Sequence, residues 1–155
     1  MNYKITRTYD TLTPQLMRLS EGLGHSRRIL GVIGRELMTM TLATFGPSGT
    51  GRPVIWADLK ESYKRKLRAR KFNAMEVPTL LRSGTLRGSL RLDVTDQHAE
   101  ISSGNPYAAV HQFGDGPIPA RPFLPMNEAG TGLTVEAESR VAAVARKEIA
   151  AMVGP

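Results

Sequence analysis

Apolar residues recur at a three-four spacing through Leu16, Leu19, Leu23, Leu30, Ile33, Leu37 and Met40, with Ser26 as the break in the seam. That period predicts an amphipathic helix. Thr13 before Pro14 supplies its start, with Thr as the cap and Pro at the first helical position. A helix from there to Ala43 would run ~45 Å at 1.5 Å per residue. This is long for a small domain, so part of the stripe is expected to pack outside its own core. Gly22, Gly24, Gly31 and Gly34 work against the helix, each by about 1 kcal/mol relative to Ala. They predict a break near Gly22 and Gly24, or close approach of another element. A core helix is the preferred reading.

Downstream, Trp56, Leu59, Tyr63 and Leu67 repeat at helical spacing and predict a second helix. Lys60, Lys64, Arg65, Lys66 and Arg68 fall mostly on its other faces, and the basic run continues through Arg70 and Lys71. Residues 80–89 read as a turn feeding a short helix or a strand. Leu90, Leu92 and Val94 then alternate with Arg91, Asp93 and Thr95, the period-two pattern of a half-buried strand. Asp96, Gln97 and His98 make a turn, and 99–103 return as the partner strand. A last helix is expected over 133–152. Leu133, Val135, Val141, Val144, Ile149 and Val153 give it apolar surface, and Glu136 and Glu138 sit in the first turns, where the helix dipole favours them. The expected class is α+β: a long N-terminal helix, a second basic helix, a small antiparallel β-sheet and a C-terminal helix. One domain over 1–155 is expected, with 1–12 as a flexible or extended arm.

Between the hairpin and the last helix lies 105–124, NPYAAVHQFGDGPIPARPFL. Pro106 opens a helical turn, which places Tyr107, Val110 and Phe113 roughly on one side. Gly114 and Gly116 end the turn, and Pro117, Pro119 and Pro122 stiffen the residues beyond it. The segment reads as a rigid chain-reversing connector, with Phe113 and Phe123 as a buried aromatic clasp. Arg121, between Pro119 and Pro122, is expected to donate to backbone carbonyls or an acidic neighbour.

The formal net charge of +7 is unevenly spread. Residues 1–50 carry +3, 51–92 carry +8 and 93–155 carry −4. A basic middle and an acidic end suit either nucleic acid or contacts between neighbouring copies, against the plain reading of solvated helix faces. No recognised DNA-reading motif accompanies the basic run, which leaves nonspecific phosphate contact. Without cysteine there is no disulfide framework or thiolate metal site. No apolar run approaches the ~20 residues of a membrane span, and 1–13 lack a signal peptide's apolar stretch.

Little catalytic chemistry suggests itself. His25, His98 and His111 are far apart, so no tight zinc motif forms and no metal or cofactor is expected. The loop at 45–53 is glycine-rich but lacks the Gly-Lys-Ser/Thr ending of a phosphate loop. A hydrolase built on His111 would need an orienting carboxylate and a nucleophile. Asp115 is near in sequence, but nothing completes the set, and His111 is expected as a satisfied, partly buried hydrogen-bonding residue. The expectation is no catalytic residue.

YAAVHQFG followed by IPARPFL resembles the phage virion-morphogenesis, or tail-completion, family, and the resemblance continues upstream through LRSGTLRGSL at 81–90 and Trp56. Its motif positions here are Tyr107, His111, Gln112, Phe113, Gly114, Pro119, Arg121, Pro122 and Phe123, with a structural or interface role. The resemblance favours a short helical turn over 84–89. It implies a structural protein made in the host cytoplasm and placed in the virion at the neck or tail end. There it would complete the tail as a homo-oligomeric ring, a hexamer first and a dodecamer second, beside other neck and tail proteins. The alternatives are a basic nucleic-acid-binding module, touching genome DNA through Lys60, Lys64, Arg65, Lys66, Arg68, Arg70 and Lys71, and a transient assembly factor. No membrane partner is implied.

Overall fold

A computed structural model describes residues 26–46, 51–69 and 79–153. The arm at 1–12, the Thr13-Pro14 start, the break near Gly22, and Arg70 and Lys71 lie outside these residues. The class is α+β. Helix α1 spans Ser26–Ala43 and buries Ile29, Ile33, Leu37 and Met40, a stripe on one face. Leu30, placed in the seam by spacing alone, is only half-buried, because the four-residue steps from Ile29 define the inward face. Against this stripe lies the last helix, labelled α5 here, Val135–Val153. It turns Ala137, Val141 and Ala145 inward, with Ile149 and Met152 at the edge. Both buried alanines lack bulk, which lets the two helices pack closely.

Ion pairs at the exposed margin of this contact join Arg28 to Glu148, and Arg140 Nε to Glu36 Oε1 at 2.7 Å. Exposed pairs of this kind contribute at most about 1 kcal/mol, so the apolar stripe dominates. Thr134 caps α5 by accepting the Ala137 N–H at 3.2 Å. Val135, counted in the helix's apolar surface, is 84% exposed. As the first helical residue it lies off the face shared by Ala137, Val141 and Ala145.

Strands β1, Leu90–Val94, and β2, Ala99–Ser103, form the expected antiparallel hairpin, with Leu92 opposite Ile101 and Val94 opposite Ala99. Both strands pack on α1. At Gly34 a β-carbon would come within 2.8 Å of Leu92 Cδ1 and 3.1 Å of Ala99 Cβ. This glycine therefore serves close approach of the hairpin, which outweighs its cost inside the helix.

A second core cluster joins Phe45, Trp56, Leu86, Leu90, Ala108, Phe123, Leu124 and Met126. The rings of Phe45 and Phe123 lie 5.5 Å apart, and Trp56 meets Phe45 edge-on at 6.4 Å. Trp56 and Leu59 do not begin the second helix as the spacing predicted, since α2 spans Glu61–Ala69. The carbonyls of Ala57 and Asp58 are taken by the Arg121 guanidinium, at 3.0 and 3.2 Å. Helical bonding starts only at the Lys60 carbonyl, which accepts the Lys64 N–H at 3.0 Å. Within α2, Leu67 is buried and Tyr63 exposed. A short helix α3, Thr85–Gly88, precedes β1, and α4, Ala108–Phe113, follows β2.

Candidate functional site

The segment after β2 is built from local backbone chemistry. Asn105 opens α4, its Oδ1 accepting the Tyr107 N–H at 2.9 Å and its carbonyl the Ala108 N–H at 3.0 Å. The helix ends at Gly114, which has φ +77° and donates its N–H to the Val110 carbonyl at 2.8 Å. A β-carbon there would meet Ala120 N at 3.0 Å and the Ile118 carbonyl at 3.1 Å, so both the turn and its packing require glycine. Asp115 and Ile118 exchange two backbone hydrogen bonds across a tight turn, at 3.0 and 2.9 Å. The chain then runs back past α4.

Three polar side chains hold that returning stretch. Gln112 is buried, and its Oε1 accepts the N–H groups of both Phe123, at 3.0 Å, and Leu124, at 3.1 Å. Arg121, also buried, donates to the carbonyls of Ala57 and Asp58, while its own N–H bonds the His111 carbonyl at 2.7 Å. Trp56 donates its indole N–H to the Pro122 carbonyl at 2.8 Å. Arg52 stacks 4.0 Å over the Trp56 ring and donates to the carbonyls of Thr44 and Gly46 beyond the end of α1. The Trp56 loop and the 105–124 segment are thus latched side chain to backbone in both directions.

The expected clasp is half right. Phe123 is 1% exposed, but Phe113 is 56% exposed and Tyr107 66%. Ala108 and Gln112, four residues apart, are the inward pair of α4, which rotates Phe113 outward by a further 100° or so. His111 is not the satisfied residue expected. Its Nδ1 is buried without a hydrogen-bond partner among the described residues. Among the described residues no carboxylate orients the ring through that atom.

The basic helix also departs from expectation. Lys64 reaches Asp58 at 2.6 Å and Glu61 at 2.8 Å, so it is a paired charge and not part of a free patch. The Lys64 hydrogen bond holds the Asp58 carboxyl below its ordinary range, and the Asp58 and Glu61 bonds push the Lys64 ammonium up. Lys60, Arg65, Lys66 and Arg68 remain exposed.

Two grooves flank the segment. The first, of 920 Å³, is lined by Lys60, Tyr63 and Lys66 of the α2 region, by Arg82, and by Tyr107, His111, Pro119 and Arg121. Arg82 Nη1 donates to the Tyr63 hydroxyl at 3.0 Å on its wall. Leu80, also on this wall, has φ +69°, a left-handed conformation rare for a non-glycine residue. The second groove, of 620 Å³, is lined by Val54, Phe113, Ala120 and Pro122 with Glu128, Val135 and Glu138. Pro119 and Arg121 thus face one groove, Ala120 and Pro122 the other, as alternate residues of an extended chain must. One groove is rimmed by cations, the other by carboxylates and exposed apolar groups.

Residues 8–150 match the sequence profile of the phage virion morphogenesis family. The chain belongs to that family. Among curated relatives it is 29% identical over 150 residues to the Mu-like prophage FluMu G protein 1 of Haemophilus influenzae (strain ATCC 51907 / DSM 11121 / KW20 / Rd), covering 96% of this chain and 94% of the relative. No solved structure matches it significantly. Membership in the virion morphogenesis family makes this a virion-associated protein with a structural or morphogenetic role. Among the described residues no helix is long and apolar enough to cross a membrane.

Arg52, Thr44 and Asp58 take part in holding this region together, and residue patterns did not single them out. For Asp58 a signal was present, an acid six residues ahead of Lys64 with Glu61 between. For Arg52 there was none, since its bonds cross from a loop to a helix end. His111 yields a direct test. Burial, and secondarily the Arg121 charge, lower its pKa below the ordinary value of 6.5. The unfolded chain therefore binds the proton first as pH falls, and stability drops as pH goes below about 6.5 until the folded pKa is passed. The slope of unfolding free energy should not exceed about 1.4 kcal/mol per pH unit for this one proton. Chemical denaturation of the native chain and of His111→Gln between pH 7.5 and 5 isolates the effect. Parallel curves for the two would show that His111 is not held neutral.

Proposed function

We propose that this chain completes the phage tail at the head-to-tail junction, as a closed ring of identical subunits that caps the tail and docks it to the head. The observation that carries this reading is the pair of unlike grooves on either side of 105–124, one cationic and one acidic and apolar. Unlike faces suit a head-to-tail contact, which closes into a ring when the rotation allows. The mechanism is then interface complementarity and ordered assembly, with no bond made or broken. The six-fold symmetry implied for tail tubes makes a hexamer the first expectation and a dodecamer the second.

A second reading, contact with passing genome DNA, is favoured by the exposed cations of α2. It needs only phosphates and gives binding that weakens steeply with salt whatever the sequence.

Copy number in the finished particle tests the ring. Mass or density for this chain at the neck should correspond to about six copies, or about twelve. Scattered monomers on the capsid surface would overturn the ring. Absence of the chain from finished virions would favour a transient assembly factor.

A further inference from the structure

We infer that the apolar-acidic groove beside Phe113 receives the outward face of helix α2 of the next subunit. This rests on the ring reading and names the faces that make it. Groove-facing Val135 is 84% exposed and Phe113 56%, an unusual outlay of large apolar side chains in a small protein. Glu128 and Glu138 share that groove. No hydrogen bond or ion pair of either carboxylate occurs among the described residues.

The occupant is identified by charge and shape. Helix α2 offers its own domain only Leu67 as a buried residue. Lys64 is neutralised within the subunit, whereas Arg65, Lys66 and Arg68 are exposed. On the side away from the Lys64–Leu67 face, Ser62, which borders the first groove, Arg65 and Ala69 form a narrow exposed ridge with small residues at both ends. Such a ridge enters an apolar groove without bulk, bringing the Arg65 guanidinium to carboxylates at its rim. Charges so arranged fix register and partner as well as strengthening the contact. Because groove and helix differ, the contact is head-to-tail, and a subunit bound through its helix still has its groove free for another.

Charge reversal combined with cross-linking in assembled particles tests this. Glu138→Lys and Arg65→Glu should each lower the number of copies retained at the neck at least about tenfold, through like-charge contact. Combining them in one chain should restore most of it. Both positions lie outside the buried core, and unchanged urea midpoints of the purified variants confirm that folding is intact. The chain has no cysteine, so Ser62→Cys and Val135→Cys introduce unique thiols. A chain carrying both should oxidise to a covalent ladder ending at the ring's copy number, while either alone stays monomeric. Dimers of Val135→Cys alone would indicate a two-fold contact and overturn the proposal. A ring present at the neck but with no cross-link would overturn these faces while leaving the ring intact. Absence of the chain from the neck of native particles would remove the ring itself, and this proposal with it.

Discussion

Phe123→Ala is expected to destabilise the fold by about 3–5 kcal/mol, through the cavity its ring would leave, whereas Phe113→Ala should change it by less than about 0.5 kcal/mol. The two residues look alike in sequence, each an aromatic at one end of a glycine- and proline-rich connector. Their surroundings separate them. Phe123 is 1% exposed, packs 5.5 Å from the Phe45 ring and lies in a cluster that also holds Trp56 and Leu90. Its removal takes atoms from the place where the end of α1, the Trp56 loop and the hairpin meet. Phe113 has more than half its surface in solvent, so truncation leaves no comparable void. Urea titration of both variants with a shared slope gives the comparison. Equal losses would mean that Phe113 is covered within its own subunit. A loss under about 1 kcal/mol for Phe123→Ala would mean that the second core cluster does not hold the loops together. With assembly measured in parallel, Phe113→Ala should show the opposite profile, a stable subunit that fails to join its neighbours.

How far the residues disclose this architecture depends on the range of the forces involved. The hairpin is legible because alternation at 90–94, a polar turn and a return strand are all local, and they fix the register of Leu92 against Ile101. The last helix is legible for the same reason, since Thr134 and the early glutamates act within one turn. What misleads is spacing taken alone. Trp56 and Leu59 match a helical period, yet the carbonyls needed to begin that helix are taken by a guanidinium more than 60 residues away. Phe113 matches the side shared by Tyr107 and Val110, but α4 is rotated by the buried acceptor at Gln112. Lys64 counts as +1 in any charge tally and as nearly nothing once Asp58 and Glu61 fold around it. The first two departures are tertiary hydrogen bonds overriding a local preference, and the third is a local ion pair that a count of charges does not register.

The same bonds explain why the two grooves have different chemistry. Arg121 and Trp56 pin the segment in extended geometry from one side and Gln112 from the other, so successive side chains must alternate between faces. With Arg121 bonded to carbonyls, the first groove takes its positive charge from Lys60, Lys66 and Arg82. The second groove takes its charge from Glu128, in the loop before α5, and from Glu138, which also stabilises the helix N-terminus. One latch thus divides a surface into two unlike halves.

Loosening that latch at its acceptor should therefore cost both stability and assembly. Gln112→Met keeps the volume and the helix but removes Oε1, which accepts from Phe123 and Leu124 at 3.0 and 3.1 Å. Phe123 and Leu124 are themselves buried, so water does not readily replace the lost oxygen. Leaving a buried donor unsatisfied costs about 1–3 kcal/mol, and with two donors sharing one acceptor the expected loss is about 2–4 kcal/mol. Melting temperature should fall by about 5–15 °C for a chain of this size. The location of the damage is as telling as its magnitude. Hydrogen exchange should quicken at the Phe123 and Leu124 amides before it quickens in β1 or at the α1–α5 contact, because the helical pair has its own core. Since Ala120 and Pro122 line the acidic groove, a shifted segment should also weaken ring closure in a variant that remains folded. Unchanged exchange at Phe123 and Leu124 with a stability loss under about 1 kcal/mol would show that another group satisfies these donors, and the latch would lose its central member.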